Sequence, residues 1–500
     1  MPTHVQNQPK SLPTQTHGQK DNAAKMKDKM TGKINNETLT TCIKHLAVSG
    51  LSSSTARIKS SCNLIGNRFE MPNVSYTQPL AVILNQTNSV VIDMKRIVKI
   101  ILILIGFCSA VFSQNLPNDS IKPFVDFLST KTFLSPKEYV LKSFEEKDII
   151  VLCERLHPEF KQYEMIVDII KDKWFTGNVY TEVGVFNAGK QINEFLLKEN
   201  LSDKEIKKYL LTIFKDLHMF SLWPNYNYYY LLESIYQINQ QRQLTEKIKL
   251  FPLDVMFSWD SIKCDEQYNM FLDMMEPQNN FPPIINRNVI MAQYFIRKYD
   301  QEKYYNPSKK KALVIMNTYH GYTRTPKYLP HPTEPNTYST AEYIYKTFPN
   351  STKGILINGI SNSWELVADG KWDAAFRFTG NKNVGFDMKG TPFGKTKFDM
   401  YNFGGNAYET VNFEYIFDGM VFYEPIENFE VAVGIPGIFD DKAFVTEFYR
   451  RNALEERITI EEAMSSKEIN QYIEDWNVKK VNKIDDLDKY NDLINKWMTK

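Results

Sequence analysis

Four short apolar runs in this chain each stop at a polar, ionisable stretch. They are Ile149–Leu152, followed by Cys153-Glu154-Arg155-Leu156-His157; Val179–Thr181, followed by Glu182; Leu250–Leu253, followed by Asp254; and Ala312–Met316, followed by Asn317-Thr318-Tyr319-His320. Such runs read as strands, and helix-length segments separate them. Strands alternating with helices argue for an α/β fold with a mainly parallel central sheet flanked by helices. In an open sheet of that kind, ligands bind outside the carboxyl ends of the strands. Two histidines and three carboxylates are therefore expected to meet there from distant parts of the chain.

The intervening segments support this order. After a helical lead-in over Asp119–Leu128, the strand Ile149–Leu152 runs into the Glu154/His157 turn. Pro158 suits the first position of a helix. Phe160, Met165, Ile166, Ile169 and Ile170 give that helix an apolar stripe, and Gly177-Asn178 ends it. With Val179–Val183 this makes a strand–helix–strand unit. Asn187–Lys198, Asp203–Leu217 and Tyr226–Gln243 read as a helical insertion. The helix Asn286–Tyr299 lies between the strands Leu250–Leu253 and Ala312–Met316, and Thr340–Thr347 is helical. Gly354–Ile357 and Gly419–Phe422, the latter opened by Asp418, read as further strands. Between them Thr379–Asn406 is rich in Gly and Asn and reads as a long loop or small hairpin, a length that is usually functional or mobile. From Thr459 onward the tail is charged and helical.

The first 93 residues are polar, with no sustained apolar period, and cannot bury enough surface to offset their ordering entropy. They read as disordered, or as an extension produced by start-site choice. Residues 94–113 combine the basic Met94-Lys95-Arg96-Ile97-Val98-Lys99, the apolar run Ile100–Phe107, and small residues after it. These are the parts of a secretory signal, with Val111 and Ser113 at −3 and −1 and Gln114 as mature N-terminus. A membrane anchor wants about 20 apolar residues, so no stable span is expected after processing. A lipoprotein site at Cys108 is disfavoured by the bulky Phe107. The expected location is secreted or periplasmic. The mature chain keeps Cys153 and Cys264, too few for a disulfide framework. Formal charge is +1, with 43% apolar and 13% aromatic residues. Nothing argues for nucleic acid or an electrostatic membrane surface as partner. A small-molecule substrate is the expected one.

Glu154 and His157 stand three apart in a turn after a strand. An acid and an imidazole at that spacing can converge on one water, the neutral ring as base and the carboxylate steering it. The same spacing also occurs where both residues are merely structural. Glu182 ends the next strand, where an unpaired buried carboxylate is costly. His157 or Arg287 would relieve that cost. His320 repeats the pattern on a fourth strand.

In order along the chain, Cys153-Glu154-Arg155-Leu156-His157, Thr181-Glu182, Arg287-Asn288-Val289-Ile290-Met291-Ala292 and Asn317-Thr318-Tyr319-His320 resemble the motifs of one family. It is the erythromycin esterase-like branch of the superfamily that also holds haem-binding ChaN lipoproteins and TraB/Tiki proteins. The resemblance covers roughly residues 145–425 and implies an α/β domain over 114–430, with 431–500 as a helical C-terminal extension. Three positions depart from the family pattern. Cys153 replaces a glycine, Asn288 an aspartate and Asn317 a histidine. The resemblance implies a metal-independent hydrolase of esters or related carbonyl compounds, with no cofactor. His157 would be the general base, Glu154 and Glu182 would orient it, and His320 would contact the reacting carbonyl or its oxyanion. Arg287 completes the site set. An Asn317 amide can still donate to an oxyanion.

Three alternatives belong to the same superfamily. Two histidines with two or three carboxylates can bind zinc or manganese, as in a Tiki-like metal-dependent peptidase. Against that, this Glu-x-x-His lies in a turn rather than on a helix with paired histidines. A ChaN-like haem protein needs an axial ligand, for which Tyr319, Tyr322 or His331 is available. A non-catalytic member would keep the fold and part of the site. Trp223-Pro224-Asn225-Tyr226-Asn227-Tyr228-Tyr229-Tyr230 reads as a core-facing helix start or a cleft wall. His218 reads as a packed histidine. Arg324, His331 and the Pro-rich 326–335 would shape a cleft mouth. Gly394 and Gly404-Gly405 read as turns.

Overall fold

The apolar runs become strands buried along their whole length. In the computed structural model, residues 117–275, 285–324, 338–360, 365–400 and 411–498 are described. The chain divides into two units at Asp93, and all described residues belong to the second, Met94–Lys500. The expectations for 1–93, for the signal-like 94–113, for His331 and 326–335, and for Gly404-Gly405 lie outside the described residues. Among those described, no helix is long and apolar enough to cross a membrane.

The chain enters through α1 (Lys122–Thr130) and α2 (Pro136–Glu146). Ser135 and Glu138 form a capping box for α2, and Pro136 occupies its first turn. Then follow β1 (Ile149–Glu154), α3 (Lys161–Lys171) and β2 (Asn178–Val185). The insertion comprises α4 (Gly189–Leu196), α5 (Asp203–Lys215) and α6 (Tyr226–Gln240). After β3 (Leu250–Asp254) come α7 (Asp265–Met275), α8 (Arg287–Tyr305), β4 (Ala312–Asn317), α9 (Thr340–Thr347) and β5 (Thr352–Ile357). The sheet is completed, after α10 (Lys371–Phe378), by β6 (Val384–Asp387) and β7 (Gly419–Phe422).

Strand order is β3-β2-β4-β1-β5-β7-β6, parallel throughout except that β6 runs antiparallel to β7. β4 therefore sits between β1 and β2. Alternation along β1 and β4 divides the core into two layers. Ile150, Leu152, Leu313 and Ile315 pack on the side of α3 and α6, and Ile149, Val151, Val314 and Met316 on the side of α8 and α10. The outer edge of β6 is met by the chain entering α2, where Gly385 N–H donates to the Leu134 carbonyl at 3.0 Å.

Several local expectations are corrected. The helix after β1 starts at Lys161 rather than at Pro158, because the Glu159 carboxylate accepts from the amides of Lys161 and Gln162 at 2.9 Å each. Within Thr379–Asn406 the strand β6 forms, paired to β7 rather than folded into its own hairpin, and Gly394 lies in a helical turn, Pro392–Lys395. The C-terminal region is helical over α11 (Lys442–Glu456), α12 (Ile460–Ser465), α13 (Lys467–Trp476) and α14 (Leu487–Met498). It also carries a two-stranded antiparallel sheet of β8 (Glu430–Val433) and β9 (Lys480–Lys483).

Candidate active site

Glu154 is the last residue of β1 and lies in register with Asn317, the last of β4. Between those two ends and β2, the chain brings together Glu154, His157, Glu182, Arg287 and His320. His157 Nδ1 lies 2.8 Å from Glu154 Oε2, so this nitrogen carries the hydrogen and Nε2 is left to face the site. Tyr163, from α3, donates its hydroxyl to Glu154 Oε1. The turn itself is clamped from below. Asn227 at the start of α6 donates to the His157 carbonyl, and Thr318 Oγ1 donates to the Glu154 carbonyl at 2.7 Å.

Glu182 reaches the same place by a defect in its strand. Pairing between β2 and β3 slips between Thr181 and Val185, and Gly184 there has φ 101°. A side chain at Gly184 would be strained by that dihedral and crowd Pro252 and Leu217. Glu182 Oε2 then accepts the Asn317 amide at 2.8 Å, crossing over the end of β4. Its other oxygen, Oε1, lies 3.3 Å from His320 Nε2, 3.7 Å from His157 Nε2 and 4.0 Å from Arg287 Nη2. One carboxylate oxygen thus faces three cationic or ionisable groups. Arg287 makes its closer contacts with Asp254 at the end of β3, Nε to Oδ1 at 3.0 Å and Nη2 to Oδ2 at 2.8 Å. This bidentate pairing fixes the guanidinium.

Asn288, Cys153 and Asn317 each have a local role beside the site. Asn288 Oδ1 accepts the Thr340 amide at 3.1 Å and also lies 2.7 Å from His320 Nδ1. A backbone N–H can only donate, so the atom facing His320 is the amide oxygen, and His320 Nδ1 carries a hydrogen. The amide oxygen thus does what an aspartate would do, without its full charge. Asn286 caps α8, its side chain accepting from Val289 N–H at 3.2 Å, and so sets Arg287 and Asn288 in the first turn. Cys153 packs against Gly321, where a Cβ would fall 2.5 Å from its sulfur. Asn317 caps the turn Thr318–Gly321, accepting the Tyr319 amide at 3.0 Å. It thereby aims His320.

The electrostatics follow from this geometry. Burial lowers the proton affinity of His157, but the Glu154 and Glu182 charges and the Glu154 hydrogen bond more than reverse it, raising the pKa to about 9. Burial would raise the Glu182 carboxyl, yet the charges of His320, His157 and Arg287 hold it well below the usual range. Neutrality of His157 near pH 7, which a general base would want, is thus not the resting state of the free site.

Five further residues surround the site: Asp254, one of the three carboxylates expected at strand ends, and Tyr163, Asn227, His218 and Trp223. The Trp223 ring lies edge-on to His157, centroids 5.4 Å apart, and stacks on His218 at 4.7 Å. His218 is buried, as expected of a packed histidine, and burial pushes its pKa down to about 4. It also feels the charges of Asp254, Arg287, His157 and Glu182, which places it beside the site. The strand end announces Asp254, and Trp223 and Asn227 lie in the aromatic stretch that reads as a core-facing helix start or a cleft wall; nothing in local pattern places Tyr163 or His218 at the site. Arg324, by contrast, pairs with Asp418 at the amino end of β7 and turns away from the site. Tyr322 is buried against Phe398 and Phe417, and Tyr319 is exposed. Among the described residues no group of three or more His, Cys, Asp or Glu is arranged to hold a metal ion. Both Nδ1 atoms are already engaged, His157 with Glu154 and His320 with Asn288.

No family model matches the chain. No curated protein matches it. Two solved structures share a loose likeness. A Bacillus cereus protein from structural genomics is 11% identical, with 57% of this chain and 90% of that chain covered and a TM-score of 0.33. A succinoglycan biosynthesis protein is also 11% identical, with 61% and 96% covered and a TM-score of 0.36. Likenesses of that order carry no chemistry from those proteins to this one.

Proposed function

We propose that this protein is an exported, erythromycin esterase-like hydrolase that cleaves an ester or related carbonyl bond with water, using His157 as general base. One observation carries the reading: Glu182 Oε1 lies within 4.0 Å of His157 Nε2, His320 Nε2 and Arg287 Nη2 at the carboxyl end of the sheet. In the reaction, His157 Nε2 takes a proton from water as the water oxygen bonds to the carbonyl carbon. The carbonyl oxygen becomes an oxyanion facing His320 and Arg287. When the tetrahedral intermediate collapses, the bond to the leaving oxygen breaks and His157 returns the proton to it. Glu154 and Tyr163 hold the ring in the required tautomer. The raised pKa of His157 makes its deprotonation the pH-limiting event.

The test is turnover of an ester panel that includes macrolactones, by wild type, His157→Ala and His320→Ala, with and without chelator. Loss of turnover in both variants with no chelator effect supports the mechanism. Equal turnover in wild type and His157→Ala sinks it. Activity abolished by chelator and restored by a divalent cation moves the protein to the metal-dependent peptidase reading.

A further inference from the structure

The opposite end of the sheet holds a concave feature that this chemistry does not use. Where the chain between α1 and α2 passes the edge strand β6, a cavity of about 360 Å3 opens against β5 and β6. Small-molecule pockets run to ~300–1,000 Å3. Lys353 in its lining is in register with Ile150, near the start of β1, whereas Glu154 is at that strand's end.

The floor is built rather than incidental. Tyr139 from α2 lies over Gly385 and Gly419, where any Cβ would collide with its ring or hydroxyl. Seated there, its hydroxyl donates to Asp387 Oδ1 at 2.7 Å, and Lys353 Nζ reaches the same oxygen at 2.7 Å. The Lys353 side chain is 10% exposed, and its ammonium keeps two further donors. Lys131, Lys142 and Lys389 also line the cavity, against the acids Glu146 and Asp387. Positive groups are thus in excess. Lys142 and Lys389 are exposed, and the charge of Lys142 also acts on Asp387. Beside them the rings of Phe127 and Phe133, 5.2 Å apart, form an apolar wall.

We propose that this cavity binds a small organic anion. Its carboxylate or phosphate would lie among Lys142, Lys353 and Lys389, and its apolar body against Phe127 and Phe133. A concave, partly apolar wall concentrates the field of its lysines on an anion. The aromatic pair adds contact that a bare inorganic ion lacks.

Calorimetric titration of the whole chain with phenyl phosphate, benzoate, inorganic phosphate and uncharged benzyl alcohol tests this. Phenyl phosphate or benzoate should bind at least about tenfold more tightly than benzyl alcohol and than inorganic phosphate, and more weakly as salt rises. The double substitution Lys142→Gln/Lys389→Gln, at residues outside the candidate active site, should weaken organic-anion binding by about tenfold or more. It should leave thermal unfolding and ester turnover unchanged. Three results would overturn the proposal: no binding of either organic anion at millimolar concentration, equal binding of the uncharged probe, or undiminished binding in the double variant. The last would place the anion elsewhere, Arg287 included.

Discussion

Two histidines face one indole from opposite electrostatic surroundings. On the edge of Trp223 stands His157, hydrogen-bonded to Glu154 and near Glu182, with its pKa raised to about 9. Stacked on the same ring is His218, buried among aromatics and pushed down to about 4. At pH 7 the first is charged and the second neutral. Burial disfavours the charged form of both rings, and only His157 has carboxylates close enough to outweigh it. His218 accepts the Phe220 amide at Nδ1, 3.2 Å away, and that bond favours the neutral ring. His157 is offered only carboxylates at both nitrogens. One site can therefore hold a proton donor and a neutral polar contact side by side.

The largest expected contrast is in turnover. Loss of general acid–base catalysis costs ~10²–10⁴-fold, so His157→Ala should fall by that much. His218→Gln should lose less than about tenfold, since it supplies wall and not proton transfer. Equal losses would erase the distinction between the two rings. Next comes Arg287→Ala. It strips the bidentate partner from Asp254, whose side chain is 1% exposed. Breaking a buried pair typically costs ~3–5 kcal/mol, and with Arg287 itself 32% exposed the low end, about 3 kcal/mol, is expected in denaturant unfolding.

The pH dependence separates the rings by sign. Ester turnover should rise about tenfold per pH unit as His157 deprotonates and level off near pH 9. In stability, His157 binds its proton more tightly folded than at its ordinary 6.5. Its contribution is full below about pH 6.5 and is lost as pH rises through about 9. His218 does the reverse: its preference for the neutral ring costs stability as pH falls from about 6.5 to about 4. Unfolding free energies of His157→Gln and His218→Gln against pH should each flatten one of these slopes and keep the other. The smallest effect is expected at Asn288. Asn288→Asp keeps an acceptor for His320 and Thr340 and should shift stability by less than about 1 kcal/mol. Asn288→Ala leaves both donors unpaired and should cost about 1–3 kcal/mol.

How much of this was legible in sequence depends on the range of the interaction. The strands β1 to β5 and β7 announce themselves as apolar runs, and Glu154, Glu182 and Asp254 by their positions at or near strand ends. His157 and His320 follow within a turn. β6 is a Val-Gly-Phe-Asp segment inside a Gly- and Asn-rich stretch, so no apolar run reveals it. β8 and β9 pair across the intervening helices α11 to α13. Tyr163 reads as one more aromatic on a core-facing helix, and only the fold shows its hydroxyl on Glu154. His218 is packed, as its apolar neighbours Leu217, Met219 and Phe220 suggest. That its stacking partner is also the wall of His157 depends on a loop whose path no residue spacing encodes.

The placement of β4 has a consequence for how the chain reaches this state. β1 and β2 never touch as neighbours; each is paired to β4, Ile149 and Asn178 both opposite Ala312. Until residue 317 is available, only β2 and β3 can pair, and β1 is left with an apolar face and an open edge. Closing these ladders requires joining segments far apart in sequence, which slows folding. Partly made chains in the meantime expose the unpaired edges that invite association with other chains. The strand that delivers Asn317 and His320 to the site is thus also the keystone of assembly. Newly made chains should depend most on chaperone protection in the interval before it docks.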